Sequence, residues 1–108
     1  MSDQKLVKQI EFKFAEKFKY TVEGKGFQET DTVMLKAPNI SHFLMDDFYT
    51  KISGGPNLLK FICDENLVVS KTDKTIIKIG ELNELDFRDA MKLVGAYDKA
   101  FFPQGEEE

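Results

Sequence analysis

The chain has 108 residues, 42% of them hydrophobic and 31% charged, with 15 basic against 19 acidic side chains and a formal charge of −4. That is one domain's worth of chain, too apolar for a disordered segment, and none of its apolar runs approaches the roughly 20 residues a spanning helix needs. The acidic balance, with Arg88 the sole arginine, argues against a protein that grips nucleic-acid phosphates, and a lone cysteine, Cys63, excludes disulfide and cysteine–zinc frameworks.

Ile10, Phe12 and Phe14 alternate with Glu11 and Lys13, which predicts a strand buried on one face. Ala15 and Glu16 interrupt it, and alternation resumes in Phe18, Tyr20 and Val22, as expected for the return strand of a hairpin. Gly24-Lys25-Gly26 makes the next turn, and Thr32 to Lys36 a third strand that Pro38 ends, giving a three-stranded antiparallel meander. Asn39 or Ser41 then caps a helix over residues 40–52 with an apolar stripe of Ile40, Phe43, Leu44, Phe48 and Ile52. Ser53-Gly54-Gly55-Pro56 stops it. Leu58, Leu59, Phe61 and Ile62 read as a short helix, although periodicity alone does not separate so short a run from a buried strand. The short runs Leu67 to Val69 and Ile76 to Ile79 follow. The clearest helix covers residues 84–102: Asn83 caps it, Glu84 and Arg88 stand four apart, and Phe87, Ala90, Met91, Val94, Tyr97 and Phe101 form its stripe. Residues 103–108 read as a mobile acidic tail. The sum is a single α+β domain over 1–108, a small antiparallel sheet followed by two or three helices packed on one face.

Reactive constellations are scarce. Cys63 with His42 is the sole Cys/His pairing, and a cysteine inside Phe61-Ile62-Cys63 reads as inert packing. His42 and Asp46 supply two metal ligands without a third, and Asp46-Asp47 and Asp64-Glu65 are adjacent pairs whose side chains diverge on a helix. No enzyme activity, metal or cofactor is expected. Lysines at 13, 17 and 19 fall on the opposite strand face from Phe12, Phe14, Phe18 and Tyr20, so they form no stacking platform for nucleic acid. Met1 to Phe14 lacks the apolar core of a signal peptide, so a cytoplasmic protein without a membrane partner is expected.

The aromatic load is what remains. Ten phenylalanines and three tyrosines exceed what so few helices can cover, and helix 40–52 carries Met45 and Tyr49 off its main stripe, as helix 84–102 carries Leu93 and Phe102. Helices apolar on more than one face often meet a second chain, so self-association or a protein partner is expected, the alternative being that these residues meet the 58–79 segment within one fold.

Two segments, Phe12-Lys13-Phe14 through Phe18-Lys19-Tyr20 to Asp31-Thr32-Val33-Met34-Leu35-Lys36-Ala37-Pro38, and Ile79-Gly80-Glu81-Leu82-Asn83-Glu84-Leu85-Asp86-Phe87-Arg88-Asp89-Ala90 running to Phe101-Phe102, cover about half the chain. They resemble the opening hairpin and closing helix of the short tail-assembly chaperones of long-tailed bacteriophages. Lys17 stands where that family often has a proline. The resemblance implies a non-enzymatic protein of the host cytoplasm that binds the helix-rich tape-measure protein and keeps its apolar stripes from aggregating. A groove between helices 40–52 and 84–102, with Phe43, Phe48, Tyr49, Tyr97 and Phe101 as protein-binding candidates, suits that task. The rival expectation is a small structural or adaptor subunit retained in a finished phage or bacterial assembly.

Overall fold

A computed structural model describes residues 8–102. Its first two elements are long strands, β1 (Gln9–Val22) and β2 (Gly26–Lys36), paired antiparallel across a turn at Glu23–Lys25. The turn suits its residues: Gly24 and Gly26 both hold φ near +80°, which other residues avoid. The hairpin expected at Ala15-Glu16 is instead a bulge within β1. Pairing passes from Lys13 opposite Thr32 to Phe18 opposite Thr30, so Phe14 to Lys17 stand against Asp31 alone. Since Phe14 and Phe18 are an even number of residues apart, the strand absorbs the interruption and still turns Phe14, Phe18 and Tyr20 to the core, with Lys13, Lys17 and Lys19 outside.

Thr32 to Lys36 is accordingly the second half of β2, and the third strand of the sheet comes from later in the chain. β3 (Val68–Ser70) pairs antiparallel with β2, Val33 opposite Ser70 and Leu35 opposite Val68, in the order β1-β2-β3. The α+β class holds, a three-stranded antiparallel sheet with four short-to-medium helices, of which three precede β3 and one follows it.

The helix expected over 40–52 is two single turns, α1 (Ile40–Phe43) and α2 (Phe48–Lys51). Asn39 caps α1, its side chain accepting from the His42 N–H while its own N–H donates to His42 Nδ1 at 3.0 Å. Of the expected stripe only Phe48 is buried; Ile40, Phe43 and Leu44 are exposed, and a segment this short without burial does not propagate as one helix. The run after Pro56 is helical, as read from sequence, and longer: α3 (Gly55–Asp64). Asn66, at φ 63°, ends it, with the Leu67 N–H donating to the Ile62 carbonyl at 2.8 Å and the Asn66 N–H to Cys63 at 3.1 Å. That closure turns the chain directly into β3. A 3₁₀ turn (Ile79–Leu82) precedes α4 (Phe87–Phe101).

α4 is capped by Asp86, not Asn83. Its Oδ1 accepts from the Arg88 N–H at 2.8 Å, and the same carboxylate takes the Arg88 guanidinium at 2.7 and 3.0 Å, so Arg88 pairs with Asp86 and not with Glu84. The guanidinium holds the Asp86 carboxyl well below the usual carboxylate range. Leu93 and Tyr97 are the residues of α4 sunk in the core, joining Phe14, Leu35, Phe61 and Ile62 in one cluster. Residues 103–108, read as an acidic tail, lie outside the described residues.

Two carboxylates cap N–H groups on the outer edge of β1. Asp89, 4% exposed, accepts from the Ala15 N–H at 3.2 Å, and Glu81 accepts from the Thr21 N–H at 2.8 Å while its other oxygen takes the Lys78 N–H at 2.9 Å. The bulge is what brings Ala15 to Asp89. Replacing Asp89 with alanine strips the Ala15 N–H of its carboxylate acceptor and removes an acid from the first turn of α4; the expected cost is about 1–2 kcal/mol in urea unfolding, with Asp89→Asn intermediate.

At the far end of the sheet, Asp73 gathers the Tyr20 hydroxyl (3.0 Å), the Thr75 N–H (3.1 Å) and the Ser70 hydroxyl. Donation to its ionised form, foremost from Ser70, lowers its pKa to about 2. A folded value below the ordinary 3.8 means the stabilisation is complete above about pH 4 and lost as pH falls toward 2. Acid titration followed by circular dichroism is expected to show a shallower loss of stability over that window in Asp73→Asn than in the parent.

Candidate protein-binding groove

The residues offered as binding candidates fall into two aromatic groups. Phe43, Phe48 and Tyr49 pack edge to face with centroids 5.5–6.1 Å apart, and Tyr97 packs on Phe101 at 4.7 Å. Phe102 joins the groups, 6.4 Å from Phe48 and 5.9 Å from Tyr97. The space between α2 and α4 at this level is therefore filled by rings. Tyr97 is wholly buried, its hydroxyl donating to the Lys36 carbonyl at 2.7 Å, and burial pushes that hydroxyl's pKa up. Phe48 is buried against Phe61, and Phe101 is half-buried; only Phe43 and Tyr49 present large surfaces to solvent, beside Ile40 and Leu44.

An open groove lies farther along α4. Ile52, Gly54, Gly55, Pro56, Leu58 and Leu59 form one wall, and Phe87, Ala90, Met91, Val94, Gly95 and Asp98 the other, around about 750 Å³. Its origin is local. Gly54, at φ 89°, and Pro56 in the first turn of α3 turn the chain sharply after Ile52, so that α3 starts beside α4; a Cβ on Gly55 would sit 3.9 Å from Val94. Phe87 is 70% and Met91 64% exposed, which is unusual for large apolar side chains one turn apart on the same helix.

Phe87 and Met91 belong to the stripe that the sequence shows, and such a stripe reads as a core face. The face of α4 that meets the sheet is instead the row Asp89, Leu93 and Tyr97, its buried residues, with Leu93 off the main stripe. A helix apolar on more than one side buries one side and leaves the other, here Phe87 and Met91, at the surface.

Gly95 sits on the groove wall with open space where a Cβ would be. Gly95→Ala is therefore expected to stabilise the protein by about 0.5–1 kcal/mol through helix propensity, measurable as a rise in thermal midpoint.

The reactive side chains are engaged elsewhere. Cys63 is buried, and burial pushes its thiol up to about 12; His42 receives the Asn39 N–H on Nδ1 and faces Glu65 through Nε2 at 3.3 Å. Among the described residues no group of three or more His, Cys, Asp or Glu could hold a metal ion, and no helix is long and apolar enough to cross a membrane. No family model matches the chain, and neither does a curated protein or a solved structure.

Proposed function

We propose that this chain is a non-enzymatic polypeptide-binding protein that takes an amphipathic helix of its partner into the α3–α4 groove, acting as a tail-assembly chaperone that keeps a phage tape-measure protein soluble in the host cytoplasm before the tail forms. The observation that carries the binding role is the pair Phe87 and Met91, held in the open on a well-anchored helix beside a concave apolar wall. Covering one such side chain contributes roughly 1.5–3 kcal/mol, and a rod-shaped helix presenting residues at three- and four-residue spacing matches a trough between two helices. The tape-measure protein as partner rests on the likeness of residues 12–38 and 79–102 to that family.

Co-expression with a tape-measure chain tests the reading. The wild-type protein is expected to hold the long chain in the soluble fraction and to be absent from purified tails, and Met91→Asp to let it precipitate. Recovery of the protein in finished particles would instead establish the rival role, a retained adaptor subunit.

A further inference from the structure

Building on the groove as a helix-binding site, we infer that the helix it takes carries acidic residues on both flanks of its apolar stripe. The chain's overall charge of −4 points toward a basic partner, but charge around the groove runs the other way. Four lysines are direct chain neighbours of residues that line it: Lys51 of Ile52, Lys60 of Leu59, Lys92 of Met91 and Lys99 of Asp98. All four are exposed, and none is ion-paired with another described residue. Adjacent helical residues point about 100° apart, so a lysine next to a lining residue stands on the rim, its stem along the apolar wall and its amine in water.

The two acids beside Phe87 and Ala90 are engaged with other groups, though Asp86 also lies near Lys92, and the exposed Asp47 and Asp64 stand four residues from Lys51 and Lys60. Asp86 is bound to Arg88, and Asp89 is buried on the Ala15 N–H. Asp98 contributes the one carboxylate on the lining itself. From Phe87 to Asp98 the α4 wall runs about 17 Å, three helical turns, so an occupant of that length brings its flanking side chains past lysines on both walls. Lysines beside apolar residues also suit an anionic lipid surface, but a membrane is flat on this scale and the site is a trough walled on two sides.

Two helical peptides with one shared leucine stripe, flanked by glutamate in the first and lysine in the second, test this by fluorescence anisotropy against the full chain. The glutamate peptide is expected to bind about tenfold more tightly at low salt, from several weak exposed pairs, with the ratio collapsing at high salt. The double reversal Lys60→Glu with Lys92→Glu, both on exposed positions, is expected to invert the preference. Equal binding, or preference for the lysine peptide, overturns the acidic-flank inference and leaves the groove standing. Failure of both peptides to bind overturns the groove as well. Binding of phosphatidylserine vesicles in place of peptides, or a dimer by light scattering that Met91→Asp dissociates, also overturns the inference and assigns the face to lipid or to a second copy.

Discussion

Phe48→Ala is expected to lower the unfolding free energy by about 3–5 kcal/mol, the largest stability effect of any single substitution considered for this chain. Phe48 is the ring on which α1, α2, α3 and the end of α4 converge, in edge contact with Phe43, Tyr49, Phe61 and Phe102. Removing it takes away the buried anchor of two helices of only four residues each, which have little stability of their own. Because α1 and α2 contribute little else to the core, part of the loss is expected as local opening: hydrogen exchange in residues 40–52 should rise far more than in β2 or α4. A uniform rise across the chain, or a cost below about 1 kcal/mol by urea titration, would contradict this role.

Met91→Asp is expected to do the opposite: abolish partner binding, by a hundredfold or more in affinity, while shifting unfolding by no more than about 0.5 kcal/mol. The side chain faces solvent, so the folded protein has little to lose from the change. A bound helix, in contrast, would have to bury a carboxylate against its apolar stripe, and desolvating an unpaired charge costs several kcal/mol. Phe87→Asp should behave alike. Isothermal calorimetry paired with a thermal melt separates the two effects, and a variant that binds normally would remove the groove from consideration. Tyr97→Phe is the contrasting control, since Tyr97 is sealed in the core and bonded to Lys36. There the expected loss is in stability.

The strands were legible because their alternation survives the bulge, which an even spacing between Phe14 and Phe18 conceals. What the alternation does not encode is where a strand folds back. Ala15-Glu16 lacks the Gly-Lys-Gly chemistry found at 24–26, and the chain runs straight on. The run Leu67 to Val69 is visible in the sequence but not as a strand, because it is short and buried on both faces and shows no period at all. The clearest helix was found, but its buried face was misassigned. Hydrophobicity does not separate Phe87 and Met91 from Leu93, and the deciding facts, Asp89 reaching Ala15 and Tyr97 reaching Lys36, are bonds to residues more than sixty positions away. The groove is hidden in the sequence for the same reason: it is made of residues whose apolar character reads as core until the face of α4 that meets the sheet is known.

The carboxylates on β1 have a consequence for how the protein is made. Gln9–Val22 is made well before Glu81 and Asp89, the side chains that accept from its Thr21 and Ala15 N–H groups. During synthesis the hairpin therefore presents those two N–H groups to solvent until α4 and the turn before it are in place, and its edge is completed by residues more than fifty positions later.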